Sequence, residues 1–268
     1  LPTVSGNERV ELRFWQWASY TTDESAYVQV SRWNRSGWDD WVDLPFGSPV
    51  NAAFSTPWSR VHVDLTAEAG QRVRLAFYHT ADYPSESTGW YIDDVQVWQG
   101  TPDFPTLEDF ESGWGDWYTD HGVWQIGVPT AGPSRAHGGS SCAGTVLDGD
   151  YPNNTDSRLI SPETQLPTVS GNQRGELRFW QWTSYAGWDS AKVQLSAWSG
   201  GTWGAWQDLP FGEAALSDYA TPWSKVHVDL TAFSGQRVRL GFLHSEDLSY
   251  VSTGWYIDDL EIWHGIPN

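Results

Sequence analysis

The sequence predicts an all-β protein built from antiparallel β-sandwiches, and three observations carry that prediction. Apolar and polar residues alternate in several runs, such as residues 61–65 (VHVDL) and 73–77 (VRLAF), which is the period of half-buried strands. Gly70 and Gly235 each lie between two such runs, where a turn is expected. The sequence shows no helical period with capping residues. Short strands separated by turns are typical of sandwich folds.

A tandem duplication sets the domain organisation. Residues 1–98 align with residues 166–263 without a gap, and about 59 of the 98 pairs are identical. LPTVSGN begins at Leu1 and returns at Leu166, and STGWYIDD begins at Ser87 and returns at Ser252. A shift of 165 residues therefore relates equivalent positions in the two copies. Residues 104–165 occur only once in the sequence.

Composition excludes several classes of partner. The 268 residues include 34 acidic and 15 basic side chains, a net charge of −19, so nucleic acid and anionic lipid are not expected to bind. No apolar run approaches the roughly 18 residues of a membrane span, so no membrane insertion is expected. Cys142 is the only cysteine, which excludes an intrachain disulfide. We expect it to be a small buried residue rather than a reactive thiol.

Catalytic motifs are missing, so we predict that the chain is not an enzyme. The sequence contains no HExxH, GxSxG, P-loop or dinucleotide-binding pattern. His62 and His227 each precede an aspartate, Asp64 and Asp229, by two residues on a predicted strand. Each pair would share one outward strand face, and we expect a solvated face rather than a catalytic dyad.

Oxygen-bearing side chains are dense in residues 148–156 (DGDYPNNTD), which include Asp150 and Asp156. They suit Ca²⁺, which takes roughly six to eight hard oxygen ligands, and a polar turn is the alternative. Asp258 and Asp259 are adjacent on an otherwise apolar predicted strand. Because strand neighbours face opposite sides, one of the two should face inwards and need a cation or hydrogen-bond donors.

Tryptophan is strongly over-represented, with 20 residues in the chain. Three in each copy flank a hairpin that contains glycine and serine: Trp33, Trp38, Trp41, Trp198, Trp203 and Trp206. Exposed aromatic rings can stack on sugar rings, with polar neighbours such as Asp43 and Asp208 binding the hydroxyl groups. The alternative is that these rings pack on the outer sheet or cover a neighbouring domain.

An ordered set of sequence pieces carries a family resemblance. The pieces are DFES at Asp109, DSRLISP at Asp156, ELRFWQW at Glu176, GQRVRLGF at Gly235 and GWYIDDLEIW at Gly254. In this order they resemble the MAM-like jelly-roll modules of secreted bacterial proteins. These modules include accessory domains of immune-inhibitor-A-type metalloproteases and cleaved adhesin domains of gingipain-like proteins. The paired cysteines of the vertebrate MAM pattern are absent.

The resemblance implies the jelly-roll form of the sandwich and a calcium site. In the family, calcium joins the opening FE strand to the closing DD, which implies Glu111 and the Asp258–Asp259 pair, with Asp156 as a further contributor. With Asp150 from the acidic stretch, the expected Ca²⁺ ligands are Glu111, Asp150, Asp156, Asp258 and Asp259. The equivalent pair in the first copy, Asp93–Asp94, has no counterpart of Glu111, so we expect a weaker or absent site there.

These observations combine into two tandem antiparallel jelly-roll β-sandwiches. Residues 1–100 are expected to form a first copy that lacks its N-terminal strands, residues 101–107 a linker, and residues 108–268 a complete second domain. An isolated sandwich without its first strands would leave edges unpaired, which favours aggregation or strand exchange.

The expected function is a non-catalytic, calcium-stabilised adhesion or carbohydrate-binding module, secreted or on the cell surface. Its partner would be a glycan or a cell-surface ligand. The alternative is a structural repeat of a surface filament or array, in which neighbouring copies exchange strands and the tryptophans anchor the interfaces.

Overall fold

The protein is described from a computed structural model that covers residues 1–21, 24–48, 57–81, 87–187, 189–211, 220–246 and 250–267. Within these ranges the regular structure is β, apart from 3₁₀ turns at Thr66–Glu68 and Thr231–Phe233, which confirms the predicted class. None of the helical segments in the described ranges could cross a membrane.

The strands are β1 (Arg9–Ser19), β2 (Glu24–Arg32), β3 (Val42–Leu44), β4 (Ser59–Asp64), β5 (Val73–Ala81), β6 (Gly89–Gly100), β7 (Tyr118–Asp120), β8 (Gln125–Gly127), β9 (Cys142–Gly144), β10 (Asp156–Ile160), β11 (Thr164–Gln165), β12 (Arg174–Ser184), β13 (Ser190–Ser199), β14 (Thr202–Trp203), β15 (Gln207–Leu209), β16 (Ser224–Asp229), β17 (Arg237–Ser245) and β18 (Gly254–Gly265).

The chain divides into two compact units. Unit 1 consists of Leu1–Pro102 and Tyr118–Gly122, and unit 2 of Asp103–Trp117 and Val123–Asn268. The first division falls at Pro102, inside the segment expected to be a linker. The sequence did not indicate that Tyr118–Gly122 would be counted with the first unit.

Unit 1 contains two antiparallel sheets, with strand orders β4-β1-β6 and β3-β2-β5. Their inward side chains form one core, as the alternation of the strands predicts. The core residues come from both sheets: Val10, Leu12, Phe14, Val28, Val61, Val63 and Leu65.

Unit 2 is a larger sandwich of the same kind. One sheet has the order β16-β12-β18-β9-β8, and the other contains β14-β13-β17-β10, with β11 on β17 and β15 on β13. Leu177 and Phe179 from the first sheet share a core with Val193, Leu195 and Phe242 from the second.

A β-bulge on the last long strand of each unit separates two adjacent aspartates. The pairing of β12 with β18 shifts between Arg178 and Trp180, and Asp259 lies on the opposite strand with φ of 50°. Asp94 takes the same conformation on β6, with φ of 49°. An extra residue in the left-handed region is how a bulge re-aims a side chain. Asp258 consequently faces inwards and is fully buried, while Asp259 lies at the rim.

Candidate cation site and tryptophan–arginine ladders

Three carboxylates of unit 2 lie against a glycine-rich loop; the acidic loop site consists of Glu111, Asp258, Asp259 and residues 137–141 (HGGSS). Glu111 accepts hydrogen bonds from the backbone N–H groups of Ser140 and Ser141, at 2.7 and 2.6 Å. It also accepts a bond from the Ser140 hydroxyl at 2.8 Å. These donors favour the charged carboxylate and lower the pKa of Glu111.

Asp258 is the buried member of the site. Its Oδ2 accepts hydrogen bonds from the backbone N–H groups of His137 and Gly138, at 2.9 and 3.1 Å. Its Oδ1 accepts a bond from the backbone of Asp259 at 2.8 Å. Burial disfavours the anion more than these donors favour it, and the pKa of Asp258 is raised to about 7.

His137 connects the loop to the aromatic surface of unit 2. Its Nδ1 lies 2.6 Å from Asp259 Oδ2, and its ring stacks on Trp180 with centres 3.8 Å apart. The ring of Trp223 meets it edge to face at 5.8 Å. The histidine, the carboxylate and the two tryptophans therefore form one continuous patch.

The loop can approach the carboxylates because it carries glycine. A Cβ added at Gly138 would lie 2.9 Å from Asp259 Oδ2, and one added at Gly139 would collide with Glu111. Gly139 also has a φ of 55°, which side chains other than glycine rarely adopt. Gly139 therefore suits both the turn and the close approach to Glu111, and Gly138 leaves room for Asp259.

Cys142 is buried beside this site, which confirms the expectation of a small buried residue. Burial raises the pKa of its thiol, and the charges of Asp258 and Glu111 raise it further. A thiol held in its neutral form is a poor nucleophile. Because both carboxylates act on the same thiol, they border one small region of unit 2.

Of the other two expected calcium ligands, Asp156 lies on the other sheet of unit 2 and Asp150 lies near the Tyr256 hydroxyl. Asp150 is exposed and acts electrostatically on the Tyr256 hydroxyl. Asp156 is exposed on β10, opposite Ser245, in the sheet that does not contain Asp258. In the described part of the chain, no three His, Cys, Asp or Glu side chains are grouped closely enough to hold a metal ion.

The chemistry of the acidic loop site suits a hard cation through its donor atoms. Glu111, Asp258 and Asp259 offer carboxylate oxygens, the ligand type that Ca²⁺ prefers. Asp258 is a buried acid whose charge has no cationic partner among its hydrogen bonds. The equivalent pair in unit 1, Asp93–Asp94, is exposed.

A ladder of alternating tryptophan and arginine side chains lies on unit 1. The Arg72 guanidinium is 5.2 Å from the ring centre of Trp33 and 5.6 Å from that of Trp38. Arg74 follows, 4.9 Å from Trp38 and 4.6 Å from Trp41. A cation is attracted to the negative face of an aromatic ring, so each arginine joins two rings.

Unit 2 carries the same ladder at equivalent positions. Arg237 lies 5.0 Å from Trp198 and 5.9 Å from Trp203. Arg239 lies 4.8 Å from both Trp203 and Trp206. The predicted stacking platforms are therefore packed against arginines. The signal that could have shown this is the QRVRL run in both copies, which places two arginines on one strand face.

The two ladders differ at their last ring. In unit 2, Arg158 from β10 lies 4.7 Å from Trp206 and adds a further cation. In unit 1 the last ring is Trp41, which is 40% exposed. It is the one ladder tryptophan, within the described residues, that falls in the exposed class.

Trp41 borders a polar and aromatic surface, the aromatic face of unit 1, formed by Tyr27, Gln29, Trp41, Asp43 and Tyr78. The Tyr27 and Tyr78 rings are paired across β2 and β5 with centres 5.8 Å apart. Gln29 Nε2 donates to Asp43 Oδ1 at 2.8 Å on the same side of the sheet. The face therefore combines flat rings with hydrogen-bonding groups.

The histidine–aspartate pairs do not form dyads. His62 is buried, contrary to the expectation of an outward strand residue, because its ring stacks on Tyr118 at 4.6 Å and its Nδ1 lies 3.3 Å from Glu11. Burial lowers its pKa well below the usual value. His227 is exposed and contacts Glu176 at 3.1 Å. Asp64 and Asp229 each accept a hydrogen bond from the backbone N–H of a threonine two residues later in the sequence.

Comparisons with known proteins give the following similarities. No family model matches the sequence. The chain is 30% identical over 161 residues to Bacillopeptidase F of Bacillus subtilis (strain 168), covering 57% of this chain and 10% of that protein. The chain thus spans about a tenth of the length of this curated relative.

Solved structures with some likeness include a domain of Lys-gingipain and carbohydrate-binding modules. The K3 cleaved adhesin domain of Lys-gingipain from Porphyromonas gingivalis w83 is 21% identical, covering 59% of this chain and 97% of its own, with a TM-score of 0.40. The tandem CBM22 domains of Paenibacillus barcinonensis Xyn10C are 14% identical, covering 98% and 80%, with a TM-score of 0.32. A carbohydrate-binding module of the β-sandwich superfamily is 10% identical, covering 97% and 100%, with a TM-score of 0.41.

Proposed function

We propose that this chain is a non-catalytic, MAM-like binding region of a secreted or cell-surface protein, which binds a glycan through unit 1 and is stabilised by Ca²⁺ in unit 2. The observation that carries the binding proposal is the aromatic face of unit 1. It presents Trp41, which is 40% exposed, beside hydrogen-bonding groups.

A sugar ring would use both kinds of group on this face. The axial C–H bonds of a pyranose stack on flat rings such as Trp41, while the hydroxyl groups exchange hydrogen bonds with Gln29 and Asp43. Arg74 already lies against one side of Trp41 and holds the ring in place, which lowers the ordering cost of binding. In unit 2 this surface is more polar, because Lys192 and Gln194 both bond to Asp208.

A panel of soluble and insoluble polysaccharides, with Ca²⁺ and then with chelator, tests this proposal. Depletion and tryptophan fluorescence report binding, and saturable binding to one glycan class supports the proposal. No binding to any member of the panel would reject a glycan as the ligand and favour a structural role in a filament or array.

The calcium part of the proposal uses the acidic loop site. Glu111, Asp258 and Asp259 are not grouped closely enough in this structure to coordinate one ion, so they would have to draw together around it. The ion would supply the positive charge that buried Asp258 lacks. Asp150 and Asp156 are separate from this site and would contribute only if the 148–156 stretch moved on binding. The ion would add stability by binding only the folded state.

A structural role in a filament or array is the second candidate, and the unpaired strand edges of unit 1 favour it. β5 and β6 each have a single strand partner in the described part of the chain. Such edges can pair with a neighbouring molecule. Electron microscopy of purified native material separates the candidates, since filaments support the structural role and single particles the binding module.

A further inference from the structure

Unit 1 exposes apolar side chains at positions that unit 2 buries. Five exposed residues on β5 and β6 are 37–53% accessible: Phe77, Tyr78, Tyr91, Val95 and Val97. Their equivalents Phe242, Leu243, Tyr256 and Leu260 are 0–9% accessible, and Ile262 packs against the core. The two units thus share an apolar pattern, and among the described residues only unit 2 covers it.

The cover in unit 2 comes from residues 103–165. On one sheet, β10 pairs with Ser245–Gly241 of β17 and β11 pairs with Val238 and Arg237. On the other sheet, β9 pairs with Tyr256 and Ile257 of β18. The equivalent strands β5 and β6 carry no such partner in the ranges the structure describes. An apolar strip between two open edges is an acceptor for added strands.

The start of unit 1 is already placed to receive a preceding strand. The Leu1 nitrogen donates to the Gln71 carbonyl at 2.6 Å, as the Leu166 nitrogen donates to the Gln236 carbonyl at 2.9 Å. In unit 2 the two residues before Leu166 form β11 on the edge of β17. A residue joined to Leu1 would therefore arrive on the open edge of β5.

We propose that unit 1 is an acceptor for a polypeptide segment with the residue pattern of 103–165, entering directly before Leu1. Its β10-like strand would pair with residues 76–80 of β5, and its β9-like strand with Tyr91 and Ile92 of β6. The segment would cover the apolar strip in the way that residues 103–165 cover it in unit 2.

One position distinguishes this occupant from an identical copy. A Cβ added at Gly241 would lie 2.6 Å from Arg158 Cδ and 2.9 Å from the Trp206 ring. Ala76 stands at the equivalent position in unit 1 and has that Cβ. The occupant of unit 1 should therefore carry a side chain shorter than arginine at the position of Arg158, which leaves the outer side of Trp41 open.

The test joins a copy of residues 103–165 with Arg158→Ser in front of Leu1 of the full chain. Hydrogen exchange of the β5 amides is compared with that of the unextended chain and of a chain extended by a scrambled segment. We expect at least about tenfold slower exchange in β5 and a loss of dye binding to exposed apolar surface, only in the matched extension. The β17 amides should be protected in all three proteins and report that each one is folded.

Two results would overturn the proposal. One is an unchanged β5 exchange rate in the matched extension while β17 stays protected. The other is that the unextended chain sediments as a dimer and its β5 amides are already protected from exchange. The occupant would then be a second copy of the chain. Protection by the scrambled segment as well would show non-specific cover and would also contradict it.

Discussion

Environment rather than identity determines what the repeated aspartates do. Asp93 and Asp258 both lie in the sequence WYIDD, at positions related by the repeat. Asp258 is fully buried and its pKa is raised to about 7, whereas Asp93 is exposed. The difference arises from the loop of residues 137–141, which donates to Asp258 and has no equivalent among the described residues of unit 1. The pair therefore provides a matched control within one molecule.

The raised pKa of Asp258 predicts a pH dependence of stability in chelator. The folded state keeps the proton up to about pH 7, while an unfolded aspartate loses it near pH 4. The stability of unit 2 should therefore fall as the pH rises from about 4 to 7, by up to about 4 kcal/mol. Denaturant titrations from about pH 4 to 7 measure the free energy of unfolding at each pH. The fall in this free energy with rising pH should be smaller in Asp258→Asn and unchanged in Asp93→Asn. An unchanged slope in Asp258→Asn would contradict the assignment.

Calcium should reverse the cost of ionising Asp258. At an ion concentration of about 100 times Kd, binding adds about 2.7 kcal/mol to the folded state. The gain should grow with pH, because a protonated carboxyl is a poor ligand. Thermal melts in Ca²⁺ and in chelator measure it for the wild type, Asp258→Asn and the control Asp93→Asn. The calcium proposal fails if Asp258→Asn lowers the melting temperature equally in both conditions.

At the scale of single elements, the ladders tie hairpin tryptophans to a neighbouring strand. Arg239 lies between Trp203 and Trp206 at 4.8 Å from each ring, so its cation serves two contacts. Arg74 serves the same role between Trp38 and Trp41. Such contacts hold the long hairpin side chains against the sheet, which explains why both copies keep tryptophan and arginine together.

Arg239→Gln should lower the stability of unit 2 by about 1–2 kcal/mol, because two ring faces lose their cation. Arg239→Lys should recover only part of this loss, since an ammonium cannot stack as a planar group. Chemical denaturation measures both variants, with the exposed Arg35→Gln as the control. Equal stability of Arg239→Gln and the wild type would show that the ladder is only a packing arrangement.

The strands could largely be predicted from the sequence, and the contacts between distant segments could not. The alternation in residues 61–65 located β4, and the repeat fixed which strands are equivalent. The bulge at Asp259 was not visible, because no glycine marks its positive φ. The bonds from His137 to Asp258 join residues 121 positions apart, and the ladder contacts come from another strand. Neither leaves a local pattern in the sequence.

At the scale of the whole molecule, the two similar units differ in how many strand partners the described residues give their edge strands. Strand β17 is paired on both sides, by β13 and β10. In the described ranges β5 is paired on one side only, by β2. Exposed apolar residues and open edges remove part of the burial that stabilises a sandwich. Within the described residues, unit 2 is therefore covered and unit 1 has an accessible apolar and aromatic surface.

This asymmetry predicts that unit 1 unfolds first. Amides of β5 should exchange faster than the equivalent amides of β17, and denaturation should show two transitions with the less stable one in unit 1. Hydrogen exchange followed by mass spectrometry assigns each transition to its unit. A single transition with equal protection of β5 and β17 would show that the open edges carry no energetic cost.

The most direct test of the binding proposal is a titration of the glycan retained in the polysaccharide panel against the wild type, Trp41→Ala and Trp206→Ala. The two tryptophans are equivalent in the repeat, but Arg158 covers Trp206 and not Trp41. We predict that Trp41→Ala weakens binding by about tenfold or more, about 1.4 kcal/mol, while Trp206→Ala leaves it within about twofold. Equal affinity of Trp41→Ala and the wild type would contradict the assignment of the aromatic face of unit 1 as the binding surface.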